Sequence, residues 1–146
     1  MKLTTKNLTL CAVLTALALG LSTLENLFPV SLLVPLPGVK LGLANIVTVF
    51  ALYQLGALPA LAILMARCLL GGLFAGNASA VLFSLLGGLT AMLVMILLSH
   101  VRGLSVYGVS VGGAAAHNCG QVAAAILTLG NTAPLYYLPV LLGVSI

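Results

Sequence analysis

Long apolar runs separated by short polar, glycine-rich or proline-rich breaks organise this chain. Residues 8–24 run without a charge, and the later runs repeat the pattern. They predict spanning segments at about residues 7–27, 39–55, 59–74, 79–98 and 106–129, with a sixth beginning near Leu135. A spanning helix needs roughly 20 residues, so a sixth segment that stops at Ile146 is expected to be truncated or to span only partly. The expected fold is all-α, a polytopic integral membrane bundle of about six helices forming a single domain over residues 1–146.

The breaks carry more information than the runs. Pro29, Pro35 and Pro37 fall in the connection at residues 28–37. Prolines this close together bar a helix ahead of Gly38. A loop then hands over to a helix with Lys40 in its first turn and with Gly38 and Gly42 one turn apart. The interior of the loop, residues 31–34, is apolar, so it is expected to pack on helix ends or to act as a lid over a ligand. Turns are expected at residues 54–59, at Gly71, Gly72, Gly76 and Asn77, at residues 99–103, and at residues 130–134. Ala12, Ala16 and Gly20 recur at every fourth position, as do Gly108, Gly112, Ala116, Gly120 and Ala124. Small residues along one helix face allow another helix to approach closely.

Composition fixes the solvent. The 146 residues are 62% hydrophobic and 4% charged, against about 25% charged in a soluble domain. Such a surface requires a lipid bilayer. The net charge of +4 comes from scattered cations rather than a basic stripe, so no nucleic-acid partner is expected. Cys11, Cys68 and Cys119 each sit inside an apolar run and read as small packing residues. The basic residues also set an orientation. Lys2 and Lys6 precede the first segment and Arg102 lies between the fourth and fifth, so those sides are expected to be cytoplasmic. A multi-pass cell-membrane protein with a cytoplasmic N-terminus follows. Lys40 is then an outward cation, an exception to the rule.

Six charges among 146 residues make each one informative. Ionisable groups at membrane depth face a bundle interior or a cavity. Glu25 and Lys40 read as an interfacial pair with snorkelling side chains or as substrate contacts. Arg67 reads as a buried functional or gating group, or as a structural partner of Glu25 or of helix-end carbonyls. His117 reads as a site residue or an interhelical hydrogen bond, and Asn45, Asn118 and Gln121 as helix glue or ligand contacts. No catalytic constellation is present. Glu25 has no second carboxylate, no Cys/His cluster has zinc spacing, and no phosphate-binding loop of the Gly-x-x-x-x-Gly-Lys-Ser/Thr type occurs. No cofactor and no metal are expected.

The run Pro37, Gly38, Val39, Lys40, Leu41, Gly42, Leu43, Ala44, Asn45 and the run His117, Asn118, Cys119, Gly120, Gln121 resemble the Gx transporter family, also called the heptaprenyl diphosphate synthase component I family. The likeness extends through residues 51–56, Arg67, residues 83–88, residues 108–114 and residues 136–139. That family resembles substrate-capturing (S) components of energy-coupling factor transporters. The resemblance implies a membrane subunit that binds a small molecule from outside and joins a transmembrane coupling subunit and two ATPases. It implies substrate contacts from Glu25, Lys40, Asn45, Arg67, His117, Asn118 and Gln121. It also implies helix-packing or partner contacts from Ala12, Ala16, Gly20, Gly38, Gly42, Gly112 and Gly120. The Ala12 and Ala16 face resembles the motif through which S components meet the coupling subunit. The alternative is a non-catalytic membrane partner of a prenyl diphosphate synthase. Prenyl transfer needs clustered carboxylates to hold Mg2+ on a diphosphate, and Glu25 is the only carboxylate side chain. This chain is therefore not expected to be an enzyme.

Reporter fusions at the N-terminus and beside Arg102 are expected to read cytoplasmic, and a fusion in the 130–134 turn external. The opposite pattern would reverse the assigned orientation.

Overall fold

The computed structural model describes residues 5–25, 42–76 and 78–145. Every regular element among them is helical: α1 (Thr5–Glu25), α2 (Asn45–Leu55), α3 (Ala57–Ala75), α4 (Ala78–Ser99), α5 (Val106–Leu129), a 3-10 turn (Ala133–Tyr137) and α6 (Leu138–Ser145). Local signals explain the boundaries. Gly56, at φ +92°, is the only residue between α2 and α3. Ser105 stands extended ahead of α5, where its hydroxyl accepts from the Gly108 N–H at 3.2 Å. Such a cap satisfies a donor the helix itself cannot.

Three of these helices, α1, α3 and α4, are long and apolar enough to cross a membrane. At 1.5 Å per residue, the 21 residues of α1 reach about 31 Å, close to the roughly 30 Å hydrocarbon core. The expectation of six spans is not matched among the described residues, for two physical reasons. α2 has 11 residues and α6 has 8, so each is too short alone. α5 has 24 residues, but His117, Asn118, Gln121 and its glycines dilute its apolar character. The second segment is also corrected at its start. Residues 42–44 form a turn, and the helix begins at Asn45 rather than near residue 39. The proline-rich loop, Gly38, Lys40 and Asn77 lie outside the described residues.

The core is built on α3. Ile63, Leu64 and Cys68 are buried against Val47, Ala51 and Leu52 of α2, Met92 and Met95 of α4, and Leu14 and Ala18 of α1. A second cluster joins Phe83 of α4, Val122 and Ala125 of α5, and Leu141 of α6. The closest pair is α4 with α5, and the small-residue ladder is the reason. Gly112 lies against Leu98 and Gly113 against Met95. At Gly120 the backbones themselves meet: a Cβ there would lie 2.5 Å from the Leu86 carbonyl oxygen and 2.8 Å from Gly87 Cα. Thr90 reaches across the same contact, with its hydroxyl 3.0 Å from the Ala116 carbonyl.

The outer surface is suited to lipid. Leu58, Leu73 and Phe74 are almost fully exposed, which would be costly in water but not among acyl chains. Exposed hydroxyls need no external partner. Thr9 and Thr23 donate to the carbonyls of Thr5 and Leu19, one turn back, at 3.0 and 2.9 Å. Backbone and side-chain polar groups in lipid have to be satisfied internally in this way.

Gly120→Ala is expected to separate α4 from α5 and to lower stability by about 1–3 kcal/mol, read as a lower melting temperature in detergent. Gly20→Ala, where a Cβ meets nothing within 4 Å, is the control and should melt unchanged.

Candidate functional site

A layer of buried polar side chains crosses the bundle near the middle of α3, α4 and α5. Glu25, Asn45, Arg67, His117 and Gln121 are each at least nine-tenths buried. They come from four helices, and helix ends and glycines bring them together.

Glu25 is the last residue of α1. Its carboxylate accepts the Leu43 N–H at 2.5 Å. This bond ties the end of α1 to the turn that starts α2. The turn depends on Gly42, at φ +89°, a conformation that side chains with a Cβ rarely adopt. A Cβ at Gly42 would also press on Asn45 Nδ2 at 3.0 Å and on the His117 ring at 3.2 Å. Gly42 thus serves a tight turn against α5, not the helix-to-helix spacing expected with Gly38.

The turn presents Asn45 as the first residue of α2, with no side chain capping the helix start at Ala44. Because a single residue joins α2 to α3, the two helices fold back on each other and set Asn45 beside Arg67. Arg67 Nη2 donates to Asn45 Oδ1 at 3.0 Å. Arg67 therefore takes a neutral amide, not the Glu25 carboxylate, as its hydrogen-bond acceptor, although Glu25 remains within electrostatic range. Arg67 Nε and Asn45 Nδ2 are buried and have no hydrogen-bond partner among the described residues.

Two glycines of α4 form the opposite wall. A Cβ at Gly88 would collide with Leu64 Cδ1 at 2.6 Å and stand in ordinary contact, 3.6 Å, with Arg67 Nη2. A Cβ at Gly87 would collide with His117 at 2.8 Å and with Gln121 Cγ at 3.0 Å. Gly87 therefore leaves the room that His117 and Gln121 occupy, and Gly88 the room that Leu64 takes beside Arg67. Asn118 points elsewhere, and its amide donates to the Leu141 carbonyl of α6 at 3.0 Å. It joins α5 to α6. Lys40 is outside the described residues. Ala12, Ala16 and Gly20 lie on an exposed face of α1, away from the site.

Sequence reasoning did not single out the Leu43 N–H, Gly87, Gly88 or Thr48, which is fully buried beside this layer on α2. The paired glycines did carry a signal. Each costs a helix interior about 1 kcal/mol relative to Ala, so two together inside an unbroken apolar helix point to a tight neighbour. Among the described residues, no three His, Cys, Asp or Glu side chains form a metal-binding group.

A family model described as heptaprenyl diphosphate synthase component I matches residues 14–146. The match takes in every residue of the site. No curated protein and no solved structure matches the chain.

Asn45→Ala removes the acceptor of a buried guanidinium. It is expected to lower stability by about 1–2 kcal/mol, measured by thermal unfolding in detergent. In the Arg67→Met background the same substitution should cost much less, and equal losses in both backgrounds would show that the pair is not coupled.

Proposed function

The chain belongs to the heptaprenyl diphosphate synthase component I family, and on that premise we propose that it is a membrane substrate-capturing subunit that binds a small molecule inside its helical bundle. The observation that carries this reading is Arg67. A guanidinium buried at mid-helix, with Nε open among the described residues and a glycine wall opposite it, is costly as pure structure. A ligand that completes its hydrogen bonds gives the arrangement a purpose. In this reading Asn45 and Arg67 bind directly, His117 and Gln121 line the site, and Glu25 fixes the turn that positions Asn45.

The exposed face of Ala12, Ala16 and Gly20 supports the second half of the proposal. No helix among the described residues packs on it, and a Cβ at Gly20 would meet nothing within 4 Å. It is the natural contact for a transmembrane coupling subunit that works with two ATPases. The absence of a phosphate-binding loop in this sequence fits energy supplied by such partners. A second reading rests on the family description itself. In it the chain is a non-catalytic membrane partner of a prenyl diphosphate synthase.

Affinity capture of the tagged full-length chain in mild detergent separates the readings. Co-purification of a coupling subunit with ATPases is the expected outcome. Recovery of a soluble prenyl synthase without them would favour the second. Arg67→Ala is expected to abolish uptake while membrane insertion persists, and normal uptake by this variant would overturn the site.

A further inference from the structure

We infer that the ligand of the Asn45–Arg67 site carries an oxyanion, a carboxylate or a phosphate, and that Asn45 Nδ2 and Arg67 Nε are the donors that read it. This inference rests on the reading of the buried layer as a small-molecule site and names the chemistry of what it takes.

The donor and acceptor inventory is lopsided. At the Asn45–Arg67 pair both open atoms are donors, Arg67 Nε–H and the Asn45 Nδ2 amide, while the His117 ring of the same layer offers a donor or an acceptor according to its tautomer. The acceptors beside them each already hold a donor. Asn45 Oδ1 takes Arg67 Nη2, and the Glu25 carboxylate takes the Leu43 N–H. A ligand that offered only donors would leave Arg67 Nε–H and Asn45 Nδ2 buried without partners among the described residues. A ligand that offers acceptors satisfies both.

Charge points the same way. Arg67 is permanently cationic, and its hydrogen-bond acceptor among the described residues is a neutral amide oxygen. The α2 helix starts at the site and its dipole adds partial positive charge there, with the Asn45 and Ile46 N–H groups held by the Gly42 and Leu43 carbonyls. The opposing charge is Glu25, whose carboxylate is held by a backbone N–H at the end of α1. Asn45 is the element that makes this an anion site. An aspartate of the same size would keep the bond to Arg67 Nη2 but would neutralise the guanidinium and remove the second donor.

The test is a thermal-shift titration of the purified full-length chain in detergent, at fixed ionic strength, with four six-carbon probes: hexanoate, hexyl phosphate, hexanamide and hexylamine. At least one of the two anions should raise the melting temperature by several degrees, and the relative response to the two separates carboxylate from phosphate. Hexanamide and hexylamine should produce no shift. Asn45→Asp should fold, because its contact with Arg67 is retained, and should weaken the response to the anion at least tenfold. Arg67→Lys, which keeps the charge but loses Nε–H, should weaken it similarly. A shift with hexylamine, or an equal shift with hexanamide, would overturn the oxyanion assignment while leaving a small-molecule site in place. An unchanged response in Asn45→Asp would also overturn it. Silence from all four probes would overturn both the assignment and the site.

Discussion

A guanidinium in an apolar bundle constrains everything around it. Arg67 cannot lose its proton and cannot reach water from mid-helix, so its neighbours have to supply hydrogen bonds and space. Asn45 supplies the acceptor. Asn45 is in reach because α2 starts where it does. α2 starts there because Gly42 makes the turn and Glu25 holds it through Leu43. On the opposite helix, Gly87 leaves space for His117 and Gln121 and Gly88 for Leu64, the residue one turn before Arg67. Removing the charge from this sequence of contacts would leave most of its parts without a reason.

The two halves of the molecule solve different problems. The α4–α5 pair is a packing solution, in which small residues bring two backbones together until Gly120 touches Leu86 and Gly87. The α2–α3 hairpin is a polar solution, in which one glycine reverses the chain and aligns Asn45 with Arg67. The site lies where the two meet. His117 and Gln121 on α5 reach it only because Gly87 has no side chain. The close approach of α4 and α5 thus sets the width of the polar layer as well as the strength of the core.

Much of this was legible in the sequence. The extents of α3, α4 and α5 follow from long apolar runs, although Gly71 and Gly72, expected in a turn, lie inside α3, which continues to Ala75 because nothing but helix-compatible apolar contacts surrounds them. Arg67, His117 and Gln121 stood out because polar groups are rare in such runs. Other features were hidden. The short reach of α2 was missed because residues 42–44 are as apolar as a helix, and only the φ of Gly42 reveals the turn. The partner of Arg67 was missed because charge complementarity points to Glu25, whereas the hairpin geometry delivers Asn45. The contact to Glu25 was invisible for a different reason, since its donor is a backbone N–H and carries no side-chain signature.

α1 differs from the other helices in how it is held. Only Leu14, Ala18 and Glu25 along its 21 residues are buried. In water its exposed leucines would press the helix onto the bundle, but acyl chains solvate them as well as a protein core does. No hydrophobic force therefore holds α1 in place, and its attachment rests on the packing of Leu14, Ala18, Cys11 and Leu21 and on one terminal carboxylate. A neighbour that matches its open face can take the place of lipid without stripping any apolar surface from its preferred solvent. Shape rather than greasiness would then decide which neighbour stays.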